Sequence, residues 1–154
     1  MPALIFDVDG TLAETEELHR QAFNRAFADH SVGWQWDETL YRDLLKVTGG
    51  KERILAYAEG RGGMALPDAA RLHAAKTRHY VEAVDGGRLS LRPGIAALIA
   101  EARRRGVALA IATTTSRDNV DSLLAHTLGV DHGFDVIACG DMVPAKKPAP
   151  DIYC

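Results

Sequence analysis

Cysteine is scarce in this sequence. Cys139 and Cys154 are the only two in 154 residues. Two thiols cannot make a disulfide framework, so a reducing, cytoplasmic compartment is expected. An excess of charge of one sign is also missing: 18 lysines and arginines stand against 21 aspartates and glutamates, a net of −3. That balance offers no global basic surface for nucleic acid and no acidic tail. No apolar run approaches the roughly 18 residues of a membrane span. Leu4-Ile5-Phe6 follows almost at once on Met1, with no basic region before a long apolar core, so no secretion signal is expected. Internal repeats and low-complexity segments are lacking too. A membrane protein, a secreted disulfide knot and a disordered chain are set aside on these grounds. What remains is ordinary for a globular chain: 47% hydrophobic, 25% charged, and about one domain long. Such a chain buries a core without a disulfide or metal staple.

The hydrophobic period changes twice along the chain. Leu4-Ile5-Phe6 has no helical period and predicts a buried strand that breaks at Gly10. From about Thr15 to Leu91 the pattern is helical. Leu18, Ala22, Phe23, Ala26 and Phe27 form one stripe, with Glu16 and Glu17 in the first turn. Leu40, Leu44, Leu45 and Val47 predict a second helix opened by Asp37. Ile54, Leu55 and Ala58 predict a third that ends near Gly60, before a loop through Gly62 and Gly63. Pro67-Asp68 opens a fourth, carrying Leu72 and Ala75 toward Tyr80 and broken at Asp85-Gly86-Gly87. Trp34 and Trp36 are expected to pack these helices.

After Leu91 the period changes again. Pro93 is placed in a first helical turn, followed by a stripe of Ile95, Leu98 and Ile99 and a stop at Gly106. Arg103-Arg104-Arg105 suits the last turn of that helix. Val107 to Ala112 predicts a buried strand. Ser116 caps a helix whose inner face is Val120, Leu123, Leu124 and Leu128, and Phe134 to Ala138 predicts a third strand. Strand, helix, strand, helix, strand favours a parallel sheet with crossover helices. The expected fold class is therefore α/β, with a helical bundle inserted after the first strand.

Ligand sites in open parallel sheets lie at the carboxyl ends of strands. Three polar clusters fall there: Asp7/Asp9/Thr11, Thr113/Thr114/Thr115/Ser116, and Lys146/Lys147. Asp7 and Asp9 are two apart, so in extended chain they share a side. Their mutual repulsion calls for a proton or a hard cation, and Mg²⁺ with oxygen ligands suits them. One carboxylate can be a nucleophile and the other a general acid and base. Hydroxyls and amides from Thr113 to Ser116 open a helix and make an anion cradle. Lys147, on a stiff Lys-Pro-Ala-Pro loop, can neutralise phosphoryl charge.

Together these residues resemble the haloacid dehalogenase superfamily of phosphotransferases. Asp7-Val8-Asp9-Gly10-Thr11-Leu12 looks like its first motif, Thr113 after Ala110-Ile111-Ala112 like its second, and Lys147 in Lys-Pro-Ala-Pro-Asp like its third. The helical insertion is similar to the small cap of the β-phosphoglucomutase-like subfamily. Thr48-Gly49-Gly50-Lys51-Glu52-Arg53 and Thr113-Thr114-Thr115-Ser116-Arg117 look like its CbbY branch, whose members are similar to sugar-phosphate phosphatases, including the one acting on xylulose 1,5-bisphosphate. The resemblance implies a Rossmannoid core over residues 1–14 and 92–154 and a helical cap over 15–91. It implies that Asp7 attacks phosphorus and Asp9 serves as acid and base. Asp7 and Asp9, with the carbonyl of Val8 or Asp9, would bind Mg²⁺, and Thr113 and Lys147 would hold phosphoryl oxygens. The family's fourth motif, an acidic pair after a further strand, has no counterpart before Cys154. The core is therefore expected to be incomplete at its C-terminus, as in a truncated copy of a longer enzyme.

On the substrate side, Glu17 can accept sugar hydroxyls and His19 resembles a hinge-side histidine of the subfamily. Tyr41, Arg42, Lys51, Arg53, Lys76 and Arg78 lie on cap helices, where cations suit a second phosphate. Lys51 ranks first among these cations; Arg53 and Lys76 rank as ordinary surface charges. Thr114, Thr115, Ser116 and Arg117 can reach a distal phosphate. His30, His73, His79, His126 and His132 show no ligand spacing and are expected to be structural. The expected partner is a small sugar phosphate bound by a monomer, with no nucleic acid and no membrane. A β-phosphoglucomutase-type transferase and a catalytically incomplete binding module are the alternatives. A phospho-receiver signalling domain fits poorly, because the helical insertion follows Asp9 directly.

Overall fold

The computed structural model describes residues 2–61 and 68–154. Gly62, Gly63 and Pro67, expected in a loop and at a helix start, lie outside those residues. Strand β1 (Ala3–Phe6) leads into a tight turn. The turn forms because the Val8 carbonyl accepts the amides of Thr11, Leu12 and Ala13, and Gly10 takes a φ of +71° that a side chain would resist. Four helices follow: α1 (Glu16–Asp29), α2 (Glu38–Leu44), α3 (Gly50–Glu59) and α4 (Ala69–Asp85). Asp37 caps α2 by accepting the Leu40 amide, and Asp68 caps α4 through Ala70 and Arg71. The chain returns through α5 (Ile95–Arg104), β2 (Ala108–Ala112), α6 (Arg117–Thr127) and β3 (Val136–Ala138), and ends in a 3₁₀ turn at Pro150–Tyr153.

The three strands are parallel in the order β1-β2-β3, with Phe6 opposite Ile111 and Ala110 opposite Val136. In that order, right-handed crossovers put α5 and α6 on the same face of the sheet. Leu4, Phe6, Leu109 and Ile111 pack there against Ile99, Ala102, Val120, Leu123 and Leu124. Side chains alternate along a strand, so Ile5 and Val136 point to the other face. No helix among the described residues covers it, and Ile5 is 58% exposed. The expectation that β1 is a buried strand is corrected on that account: Phe6 is buried and Leu4 half-buried, while Ala3 and Ile5 are exposed.

Smaller corrections concern helix boundaries. Pro93 precedes the N-cap Gly94 rather than sitting in the first turn of α5. Leu98 is exposed, because the buried stripe of α5 runs through Ile99 and Ala102. Val47 lies beyond α2, and Phe134 lies before β3, edge-on to Phe6 with ring centroids 5.9 Å apart.

The helices of residues 16–85 have cores of their own. Phe23, Phe27, Trp34, Trp36, Tyr41, Ile54 and Leu72 form one, and Leu18, Ala22, Tyr80, Ala83 and Val84 form another. Leu89 touches both the second of these and the sheet core. The tryptophans pack as expected. Asn24 and Arg20 fasten the segment around Trp36 by hydrogen bonds to its backbone.

Candidate active site

The carboxyl ends of all three strands open on one cavity of about 360 Å³, and the helical segment forms its other wall. Asp7 and Asp9 follow β1, Thr114 to Ser116 follow β2, and Asp141, Lys146 and Lys147 follow β3. Glu16, His19, Tyr41, Arg53, His73 and Lys76 face them from the helices. The chain brings residues 7 and 147 together because both follow strand ends of the same parallel sheet.

Asp7 keeps its side chain 42% exposed. Its Oδ1 accepts the Val8 amide at 2.9 Å and faces Lys147 Nζ at 3.1 Å. Lys147 Nζ also donates to the Ala112 carbonyl at 3.0 Å. A single ammonium therefore ties the ends of β1 and β2 to the loop after β3.

Asp9 is wired to the helices. Its Oδ1 accepts the Thr15 hydroxyl at 2.5 Å and lies 3.0 Å from His19 Nε2. Burial alone would push this carboxyl up. His19, Thr15 and the charge of Lys76 outweigh burial and bring it down to about 2. Burial, reinforced by Lys76, pushes His19 down to about 4. At neutral pH its imidazole is uncharged and donates to Asp9 through Nε2–H. The other ring nitrogen is buried without a partner among the described residues. The His19 ring stacks on Tyr80 at 4.2 Å.

Lys76 is 3% exposed. Its ammonium lies over the rings of Phe23 and Tyr80, at 5.3 and 5.2 Å. Burial pushes it down to about 7, against the pull of Asp9. Arg53 is also buried, donating to the Leu44 and Val47 carbonyls and to the Tyr41 hydroxyl. Burial and the nearby Lys76 push His73 down to about 4.

A pH dependence follows from His19 and His73. Their folded values lie below the unfolded one, so the native state resists taking up protons that the unfolded chain accepts. The contribution of these two rings is then full above pH 6.5 and is lost as pH falls toward 4. Urea unfolding at pH 7.5 and 4.5 is expected to differ by about 2 kcal/mol for each of these two histidines. His73→Gln should flatten the decline. Equal stability at the two pH values would contradict neutral buried rings.

Several residues expected at the site lie elsewhere. Glu17 is exposed and held by Arg20 and Gln21, and its neighbour Glu16 lines the cavity instead. Arg42, Lys51 and Arg78 are exposed and outside the lining. Arg117 pairs with Asp121 at 2.7 Å. Thr113 is fully buried, its hydroxyl accepts the Thr115 amide, and Thr114 is the first threonine of that loop to reach the cavity. Ser116 does not cap α6 with its side chain: Oγ is buried without a partner among the described residues, while Asp141 accepts the Arg117 amide.

Conversely, Arg53 and Lys76 were ranked as surface charges and prove buried. The signal for Lys76 was present in the sequence. It falls midway between Leu72 and Tyr80, four residues from each, on the buried stripe of its helix. His73, expected to be only structural, lies three residues before Lys76 on the flank of that stripe. Lys146, expected with Lys147 in the third cluster, lines the cavity as well, whereas nothing local marks Asp141.

Known proteins are similar to this chain in sequence and fold. A family model described as hydrolase, haloacid dehalogenase-like hydrolase, matches residues 1–154. Protein CbbY of Rhodobacter capsulatus is 54% identical over 156 residues, covering 99% of this chain and 69% of that protein. The crystal structure of CbbY from Rhodobacter sphaeroides in complex with phosphate superposes with a TM-score of 0.92 at 54% identity, over 99% of this chain and 69% of that one. A mutant of the same protein, crystallised with xylulose 1,5-bisphosphate, gives 0.92 at 53% identity with the same coverage. This chain thus spans about two thirds of the length of these relatives.

Proposed function

The chain belongs to the haloacid dehalogenase-like hydrolases, and from that premise we propose that it is a phosphatase of small sugar phosphates, with xylulose 1,5-bisphosphate as its substrate. The observation that carries this reading is the convergence of Asp7, Asp9, Lys147 and the Thr114–Ser116 segment on one cavity walled by the buried basic residues Lys76 and Arg53. Phosphoryl transfer depends on positioning and charge neutralisation, and this set supplies both. Cations on opposite walls suit a substrate with two phosphates. The separate cores of the sheet and the helices support a core unit of 1–14 and 92–154 and a cap of 15–91.

In this reading an Asp7 carboxylate oxygen bonds to phosphorus as the bond to the sugar oxygen breaks, leaving an aspartyl phosphate. Asp9 protonates the departing sugar oxygen. It rests as a carboxylate; the negative charge of an arriving phosphate raises its proton affinity, so that it takes up from solvent the proton it then gives to the sugar oxygen. Water then attacks phosphorus and returns a proton to Asp9, and the bond to Asp7 breaks to release phosphate. Lys147 neutralises charge on the phosphoryl oxygens, and Thr114 takes the hydroxyl role first assigned to Thr113.

The donor set suits Mg²⁺. Among the described residues no cluster of three or more acidic, His or Cys side chains is spaced to hold a metal. The Val8 carbonyl is taken by its turn, and the Asp9 carbonyl accepts none of that turn's hydrogen bonds. The Asp7 carboxylate and the Asp9 carbonyl are hard oxygens that would hold the ion, leaving its other positions to water and substrate phosphate. Bound there, Mg²⁺ would supply further neutralisation of phosphoryl charge.

The test is product analysis with xylulose 1,5-bisphosphate. One inorganic phosphate released per sugar consumed is the expected result. Rearranged sugar phosphate with no free phosphate would replace hydrolysis by transfer, and no turnover at all would overturn the reading.

A further inference from the structure

The loop after β3 presents two lysines in succession, and the mechanism uses one of them. Lys147 faces Asp7, whereas Lys146 turns to the helical wall. Its Nζ lies 2.9 Å from both carboxylate oxygens of Glu52, in the first turn of α3 and 94 residues away in sequence. Lys146 is mostly buried in this contact, with 23% of its side chain exposed. The neighbouring backbone is shaped to the pair. Gly49 holds a φ of +94°, and a Cβ there would run into Glu52 and come within 2.7 Å of Lys146 Nζ. The Gly49 carbonyl in turn accepts the Arg53 amide, starting the turn from which Arg53 reaches Tyr41.

We infer that Glu52 is a positioning residue: through Lys146 it fixes the separation between the Lys147–Asp7 end of the cavity and the wall that carries Arg53 and Lys76. Glu52 itself is not among the residues lining the cavity, so it acts through Lys146. An ion pair suits this task because it is directional, breaks without covalent cost and weakens with salt.

The test uses the full chain and the variants Glu52→Gln, Lys146→Met, Lys146→Arg and the charge swap Glu52→Lys/Lys146→Glu. Amide hydrogen exchange over residues 48–54 is expected to speed up about fivefold in Glu52→Gln and Lys146→Met, for loss of one partly buried pair. Lys146→Arg and the charge swap are expected to restore protection. In turnover of xylulose 1,5-bisphosphate, Glu52→Gln should raise KM about fivefold with kcat little changed. Salt screens substrate binding in both proteins, so the wild-type KM should rise more steeply with salt than that of Glu52→Gln. Unchanged exchange in both single variants, or a charge swap that fails to restore protection, would overturn the inference. So would a KM effect confined to Lys146→Met, which would make Lys146 a direct substrate contact. The kinetic arm rests on the phosphatase reading and the exchange arm does not, so the two failures are distinguishable.

Discussion

Asp7→Asn is expected to lower phosphate release by about 10³-fold or more while leaving the fold intact. The substitution keeps the shape of the side chain and the acceptor for the Val8 amide. It removes the charge and the nucleophilic oxygen pair. Lys147 loses its counter-ion at 3.1 Å but keeps the Ala112 carbonyl. Asp7 is too exposed for the lost pair to cost more than about 1 kcal/mol of stability. Phosphate release and a urea midpoint measured on the same preparation check both halves. Undiminished turnover would exclude Asp7 as the attacking group. A collapsed midpoint would mean that Asp7 is structural.

The second large effect is one of stability. Trp36 is fully buried, with its ring 4.7 Å from that of Phe23, 4.8 Å from Phe27 and 5.3 Å from Tyr57. Trp36→Ala leaves a cavity among those rings and is expected to cost about 3–5 kcal/mol. That is a large share of the roughly 5–15 kcal/mol that holds a domain together. Trp36→Phe is expected to cost much less. It keeps an aromatic ring and removes an indole N–H that is buried without a partner among the described residues. Urea unfolding of the two variants separates these costs. Because Trp36 packs on Phe23, over whose ring Lys76 sits, Trp36→Ala should also loosen that wall of the cavity.

Much of this molecule could be read residue by residue. The stripe Leu18, Ala22, Phe23, Ala26, Phe27 is the buried face of α1, and Asp37 and Asp68 cap the helices they precede. These features depend on periods and caps that span a few residues. The carboxyl-end clusters were equally legible. Parallel strands all end on one edge, so Asp7, Thr114 and Lys147 had to approach one another.

The placement of single side chains was not legible in the same way. Lys51, in the first turn of α3, is exposed, and Lys76, in the middle of α4, is buried; the stripe from Leu72 to Tyr80 places Lys76 on the inner face, but not between the rings of Phe23 and Tyr80. Thr113 and Thr114 are neighbours, and the backbone turn after β2 alone decides which hydroxyl meets the cavity.

By itself, then, the sequence determined the α/β class, the helical insertion, the two aspartates and the lysine at the strand ends, and the family. Each is written in short-range period or motif. Only the tertiary structure decided that Asp9 is wired to His19, that Arg53 and Lys76 wall the cavity, and that Glu52 meets Lys146. Those contacts join residues 10 to 94 positions apart. Their formation depends on how helices cross and which face of a sheet is covered, and no local pattern encodes that.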